Sequence, residues 1–536
     1  MFAYLLSCTK TNSHSSNSVA YLESYADQFG LKRHIQFRCH VISVKDANQS
    51  SKEGDACGYE VQYTNPDNQI INTEKFDVVA ICSGLHNTPY IPDLFLPSSP
   101  ADTKTGILHK FKGQIIHSSE YKDSSLFTGK RVLIVGCGET AMDLSHRAIM
   151  NPQCKIVAMS VRRGFLSIPH SLAKNRPLDV FITNLFEHAY EHPWVHALRL
   201  RWHLSTFFIR LFLFLTGSSW GFNQWAVPTT PVRRGYHIIN KSHAAMSHLN
   251  VPMKRQSLWG QLWMWVYGES HLRPIQSFYG TQVAGIDDDG TSIRFTDGRR
   301  FEADLIVLAT GYQQSFPFLH ENIRKEIQKD SLRSNPHTCT KDDTSSYILE
   351  EDYLPSDHFI VSRTRPTLGF IGFVRPNVGA IPPMSELQVM WWLEHMRGRV
   401  KKLAKSGPPS YMLLGKKYRY GVDYGNYMHR IAEDFDAAPT LTTLARSRHP
   451  FRALYTYCIG QSMVPLFRLQ GPFESKTCWE VVTGELWRVC LRRGIAENCG
   501  LLYMTMLSLL MNVVACALEC IWCLVTLRRP KFFVRY

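Results

Sequence analysis

The sequence predicts an α/β protein built from two interleaved Rossmann-like dinucleotide-binding domains, followed by a C-terminal apolar helix. Three observations carry this expectation. Residues 130–145 (KRVLIVGCGETAMDLS) read as strand, glycine turn and helix in succession. The apolar run at 76–84 (FDVVAICSG), and another that closes 281–312, end in small residues, as buried parallel strands do when their tips meet a ligand. Residues 501–527 form an apolar stretch with a single charge, Glu519.

The chain has 536 residues, enough for two or three domains around a large core. With 44% hydrophobic and 20% charged residues, it falls outside the disordered class. Its formal charge of +15, from 60 basic and 45 acidic side chains, favours anionic partners such as nucleotide phosphates or lipid headgroups. No basic run is interleaved with aromatic residues, which argues against nucleic acid. The 14 scattered cysteines read as reduced thiols in a cytosol-facing protein. The first ten residues, MFAYLLSCTK, lack the basic region and long apolar core of a signal peptide.

Taken in order, AYLESYADQFGL places Tyr21, Leu22, Tyr25, Ala26 and Phe29 on one helical face, and Gly30 fits the stop. HIQFRCHVISV (34–44) reads as a strand that YEVQYT (59–64) continues after a polar turn. KIVAMSVRRG (155–164) is the strand after the glycine turn and its helix. Residues 194–215 read as a helical insertion, either packed or lying on a membrane. TQVAGIDDDGTSIRFTDGRRFEADLIVLATGY (281–312) gives two short strands, turned at Asp289-Gly290 and Asp297-Gly298, before the buried strand. The polar region 320–350 reads as a loop or insertion, PTLGFIGFV (366–374) as a strand, and SELQVMWWLEHM as the start of a helix.

Gly136, Cys137, Gly138, Glu139, Thr140 and Ala141 match G-x-G-x-x-G/A between an apolar strand and an amphipathic helix. Gly136 permits the tight turn, Gly138 lets a diphosphate approach the backbone at the helix N-terminus, and Ala141 allows close packing of helix on strand. The other reading is a glycine turn that only packs. An acid at the tip of the second strand would bind a ribose 2′-hydroxyl. That tip instead carries Arg162 and Arg163, whose planar forks suit a 2′-phosphate, so NADPH is expected over NADH. A solvated basic turn is the alternative there.

Phe111, Gly113, His117 and Tyr121 match F-x-G-x-x-x-H-x-x-x-Y, the fingerprint of flavin-containing monooxygenases and the related Baeyer–Villiger enzymes. The chain resembles that family, of the dimethylaniline monooxygenase type, over roughly residues 18 to 400. Cys82, Ser83 and Gly84 stand where the family often has Ala-Thr-Gly. Ala309, Thr310, Gly311, Tyr312, Phe316 and Pro317 are similar to its A-T-G-Y-x-x-x-F-P segment. GAIPPMSELQ (379–388) resembles the segment whose helix N-terminus sits over the flavin, with Glu386 and Gln388 in place.

The resemblance implies FAD and NADPH as cofactors. Val41 is placed on the strand that touches the FAD adenine, with Cys82, Ser83, Gly84, Thr310, Gly311 and Gln388 as further cofactor contacts. It implies oxygenation of a soft nucleophile, amine or sulfide, through a C4a-hydroperoxyflavin, on small lipophilic substrates. The flavin carries the hard chemistry, so no catalytic triad or metal cluster is required, and the 22 histidines form no H-E-x-x-H pattern. In the family a strand and a second G-x-G-x-x-G for FAD precede the helix at 20–29. The FAD domain is therefore expected to be incomplete in this sequence, through a mis-assigned start codon or a shortened, non-catalytic NADPH-binding relative. The implied domains are the remainder of the FAD-binding domain (1–120), an NADPH-binding domain with a helical insertion (121–280), a return to the FAD-binding domain (281–400), a C-terminal helical region (401–498) and a membrane-anchor helix (499–530).

An apolar run of about 20 residues crosses a bilayer core. Arg492 and Arg493 precede this run, and Arg528, Arg529 and Lys531 follow it. Spanning, lying in the interface and burial as a core helix are the readings open to it. By the family resemblance, the expected location is the endoplasmic reticulum, with the catalytic part facing the cytosol.

Overall fold

The computed structural model describes residues 14–47, 58–65, 70–96, 110–162, 244–256, 258–334, 355–376, 379–401 and 421–527, with short pieces at 166–167, 171–172, 176–177, 192, 194–195, 207 and 239–240. Helix α1 (His14–Gln28) leads into a three-stranded antiparallel meander of β1 (His40–Asp46), β2 (Tyr59–Thr64) and β3 (Ile71–Phe76). The strand expected from residue 34 begins at His40 instead, because Leu31–His34 winds into a 3₁₀ turn. Strand β4 (Val79–Ile81) is shorter than the apolar run suggested, since Phe76 closes β3. The chain then crosses to a second sheet through β5 (Thr88–Pro89).

That second sheet collects β6 (Gln114–His117), β7 (Arg131–Val135) and, beyond helix α2 (Glu139–Met150), β8 (Ile156–Val161). Helices α3 (Met246–Arg255) and α4 (Leu258–Val266) lead to β9 (Gln276–Tyr279). A meander of three strands, where two were expected, follows as β10 (Val283–Ile286), β11 (Ser292–Phe295) and β12 (Arg300–Glu302). The last strand is β13 (Leu305–Leu308), and the order across the sheet is β9-β8-β7-β13-β6, every neighbouring pair parallel.

Alternation along these strands explains why they read as unbroken apolar runs. Val132 and Ile134 face α2 with Ala141, Met142 and Leu144, whereas Leu133 joins Phe278, Phe295 and Phe301 on the meander side. Both faces are covered, so both sets of side chains must be apolar. At the N-terminal edge, Arg131 clamps β7 to the start of β13. Its backbone N–H and guanidinium donate to both carboxylate oxygens of Asp304 at 2.8–3.1 Å.

From β13 the chain returns through β14 (Tyr312–Gln313), which pairs antiparallel with β5. Helix α5 (Glu321–Ser334) occupies the start of the region expected to be a loop. Its sequence is polar, yet Ile323 and Ile327, four residues apart, are both buried. So is Asp330, which accepts from the Ser356 and Ser362 hydroxyls at 2.6 and 2.8 Å. Strands β15 (Val361–Ser362) and β16 (Arg365–Phe370) follow, and β16 lies parallel to β4. Helix α6 (Ile381–Met396) packs against β16 and against α7 (Tyr424–Asp434) in the largest apolar cluster. Further short helices lead to α8 (Ile495–Thr526). The expected class, α/β with a parallel Rossmann-type sheet and a C-terminal apolar helix, is the one observed. Most of the 194–215 insertion lies outside the described residues.

Candidate functional site

Strand order locates the cleft. After β7 the chain steps outward to β8 and β9, then returns on the opposite side of β7 as β13, so the order reverses between β7 and β13. Ligands of open α/β sheets bind outside the carboxyl ends of the strands at such a reversal. Register puts Val135, Leu308, His117 and Ser160 in one row across that edge. The residues just beyond the row carry the motifs read from sequence.

Gly136 opens the turn at φ +130°, and a Cβ there would lie 2.4 Å from the Ala309 carbonyl oxygen. The glycine is thus required by a close approach to the end of the neighbouring strand. Gly138 is the N-cap of α2, with no side-chain cap and no atom within 4 Å of where its Cβ would stand. The first N–H groups of α2 have no acceptor within the helix, and the positive end of the helix dipole lies at this open position beside Gly138. Cys137 and Glu139 are half-buried and Thr140 is exposed, while Ala141 is fully buried beneath the helix. This cradle fits the diphosphate of a dinucleotide. Arg162, half-buried, lies just past the end of β8, two residues beyond Ser160, which pairs with Val135 in the parallel register. Arg163 lies outside the described residues.

The fingerprint residues occupy the join between β6 and the returning chain. His117 is buried, and the Ser119 N–H reaches its Nδ1 at 3.2 Å. Nε2 therefore carries the proton and donates to the Gly311 carbonyl at 3.0 Å. Burial holds this imidazole below its ordinary pKa range. The Tyr312 ring meets it edge-on at 5.3 Å. Gly113 is needed because a Cβ would collide with the Asp304 carbonyl and the Phe111 ring. Tyr121 stacks on Phe127 at 5.5 Å. None of these groups is placed as an acid or base, and no local pattern pointed to the Gly311 carbonyl as the acceptor.

The residues assigned to the flavin side are divided. Thr310 donates its hydroxyl to the Tyr90 carbonyl and the Tyr90 N–H donates to the Gly311 carbonyl at 2.9 Å, so 310–311 hold the crossing chain. Gly84 and Gly311 both have positive φ, and no atom stands within 4 Å of either Cβ position. These two cradles, with the exposed Cys82 and Ser83 after β4, fit a cofactor passing between the sheets. Val41 is exposed beside a bulge in β1, and β1 is tied to the 308–318 segment by the Val44 N–H donating to Phe318 O at 2.7 Å. Gln388 is turned inward: it is fully buried, accepts from the Gly372 N–H at 2.9 Å and donates to the Tyr427 hydroxyl at 2.7 Å. It shapes the end of β16 rather than offering a free amide. Glu386 faces outward, 3.9 Å from Arg468. Among the described residues, no group of three or more His, Cys, Asp or Glu side chains could hold a metal ion.

Sequence reasoning missed His192, which binds two residues of α8. The signal was present in Glu519, an acid inside an apolar helix, which calls for a partner.

Comparison with known proteins agrees with the motifs. The flavin-binding monooxygenase-like family model matches residues 11–200. Monooxygenase PC-14 of Penicillium crustosum is 28% identical over 511 residues, covering 87% of this chain and 78% of that protein. Flavin-containing monooxygenase 5 of Rattus norvegicus is 27% identical over 480 residues, covering 86% of this chain and 74% of its own length. The solved structure of S-allyl-L-cysteine S-oxygenase from Allium sativum aligns with a TM-score of 0.42 at 16% identity, over 80% of this chain and 68% of that one. Residues 11–200 thus match that family, and over most of its length the chain is similar to flavin-containing monooxygenases.

Proposed function

We propose that this chain is an NADPH- and FAD-dependent monooxygenase that places one oxygen atom on a soft nucleophile, an amine or sulfide on a small lipophilic molecule. The observation that carries this reading is the open cradle at Gly138, at the switch point of the parallel sheet and next to Arg162. In it the N–H groups of the first turn of α2 hold the diphosphate, and Arg162 with Arg163 recognises the 2′-phosphate. Bound FAD would supply the electron and dioxygen chemistry. The protein supplies position and exclusion of water: the β5–β14 crossing and the His117–Gly311 hydrogen bond fix the C-terminal edge of one sheet against the chain leading to the other.

The same reading places the protein on the endoplasmic reticulum with its nucleotide-binding part in the cytosol, held by α8. Residues Glu497–Thr526 are long and apolar enough to cross a bilayer by length and composition.

The test is the absorbance spectrum of the purified full chain, followed by oxygen uptake with NADPH and either N,N-dimethylaniline or an aryl methyl sulfide. A bound flavin, bleached by NADPH faster than by NADH, with oxygen uptake that rises with substrate, is the expected result. A colourless chain that binds NADPH and consumes no oxygen overturns the enzymatic reading and leaves a nucleotide-binding relative.

A further inference from the structure

The C-terminal helix is not apolar all round. Thr505, Ser508, Asn512 and Glu519 are all buried, each less than 10% exposed. At 3.6 residues per turn they fall within about 60° of one another on the helix circumference. About 140° away lie Met506, Leu510, Val513, Ile521 and Leu524, each more than half exposed. The helix thus has one polar seam turned toward protein and one apolar face turned away from it.

One residue far back in the chain, His192, closes the seam. The backbone N–H of His192 donates to Asn512 Oδ1 at 2.6 Å, and its Nε2 lies 2.9 Å from Glu519 Oε2. The Trp194 N–H donates to His192 Nδ1 at 3.1 Å, which leaves the proton on Nε2 and directs it at the carboxylate. Asn512 completes its own needs by donating to the Ser508 carbonyl at 2.9 Å. His192 is 1% exposed and Val195 beside it is also buried. An amide and a carboxylate two turns apart are therefore both satisfied by the same residue, more than 300 positions earlier in the chain.

We propose that α8 meets the membrane as a docked helix rather than a free-standing anchor. Its polar seam is seated on His192, and the hydrocarbon of the bilayer contacts only the opposite face. The exposed face carries no charged group at the positions named, as lipid tails require, while the acid that lipid would reject is the one His192 engages. The inference rests on the membrane reading above. It adds that His192 and the tail form one unit, so the helix is fixed to the rest of the chain at mid-length instead of hanging from a linker.

The test uses the full chain in phosphatidylcholine–phosphatidylserine vesicles, with a photo-crosslinking benzoylphenylalanine introduced at Asn512 or at Val513. Flotation of the vesicles reports membrane binding separately. The expected result is flotation of both proteins, with the label at 512 joined to the 190–196 peptide and the label at 513 joined to phospholipid. Flotation with lipid adducts at both positions overturns docking and leaves the membrane reading standing. Failure to float, with no lipid adduct at 513, overturns the membrane reading itself.

Because a bulky label at 512 could unseat the helix, a second measurement uses His192→Leu, Glu519→Leu and the double variant. Each single change strands a polar partner, so both should lower the thermal midpoint in vesicles by several degrees, and the double variant should recover most of that loss. Additive losses, or a more stable Glu519→Leu single variant, would mean that the two side chains do not meet.

Discussion

Two alanines placed two residues apart separate a turn that binds a coenzyme from one that merely packs. At Gly136 the backbone stands at φ +130°, and an added Cβ would lie 2.4 Å from the Ala309 carbonyl oxygen and 3.1 Å from its carbon. Such a backbone conformation costs a side chain about 1–3 kcal/mol. The clash adds to this, since the obstacle is main chain at the end of a central strand and cannot rotate away. Gly136→Ala should therefore destabilise by roughly 3 kcal/mol or more, in the exceptional tail of single substitutions. Gly138 stands at φ −74° and ψ 179°, extended backbone that any residue adopts, with nothing within 4 Å of its Cβ position. Gly138→Ala should leave stability unchanged or raise it by up to about 1 kcal/mol, by restricting the unfolded chain. The same methyl would hold a diphosphate off the α2 amides. Losing one hydrogen bond to a charged oxygen costs about 1.5–3 kcal/mol, or roughly 10- to 150-fold in Kd for NADPH. Urea unfolding followed by tryptophan fluorescence gives the first quantity, and a fluorescence titration with NADPH gives the second. A Gly138→Ala protein that folds normally and binds NADPH as tightly as the parent would refute the reasoning, because the open cradle would then hold nothing.

Three further substitutions follow from the same geometry. Arg162→Ala should weaken NADPH by about 10- to 100-fold, the loss of one charge-assisted contact, and leave NADH within a factor of about two; equal losses for both coenzymes would place the guanidinium elsewhere. His117→Gln should cost about 2–4 kcal/mol in urea unfolding, through loss of the bond to Gly311 and the poorer fit of the buried site. Because burial lowers the folded pKa of His117, the parent loses stability as pH falls below the unfolded value of about 6.5; the variant should lack that part of the slope. Asp304→Asn should cost about 1 kcal/mol at neutral pH, a modest figure because a third of the side chain is exposed. The hydrogen bonds from Arg131 hold this carboxyl below its usual range. Its contribution is present above the unfolded value of about 3.9 and is lost as pH falls through the folded one, so parent and variant should converge in acid.

The parts of the fold that were legible in the sequence are those where one local rule dominates. A strand covered on both faces must be apolar at every position, and Leu305–Leu308 is buried throughout. A turn that abuts a neighbouring main chain must be glycine, and Gly136 is. What could not be read depends on partners distant in sequence. Helix α5 buries Ile323, Ile327 and Asp330 among its described side chains, too narrow a stripe to stand out among its charges until Ser356 and Ser362 are seen to engage the acid. Gln388 matched the family position, but the sequence could not reveal that Gly372 and Tyr427 use both ends of its amide. The Thr310 and Gly311 pair read as a cofactor contact and also serves as the tie to Tyr90 and His117.

That last point bears on what the fingerprint means. Phe111, Gly113, His117 and Tyr121 do not line up as reactive groups. Phe111 and Gly113 fit β6 against the Asp304 carbonyl, His117 pins the returning chain at Gly311, and Tyr121 packs on Phe127 with the Arg147 guanidinium 6.0 Å from its ring. The pattern marks the seam where an edge strand meets the chain crossing between two sheets, and that seam joins the two sheet edges. Substitutions in the fingerprint should therefore reduce stability first and affect NADPH and NADH alike. Arg162 should show the opposite signature, coenzyme preference lost with stability kept. A fingerprint variant that kept full stability yet switched coenzyme preference would contradict this division, because it would require His117 or Tyr121 to touch the nucleotide directly.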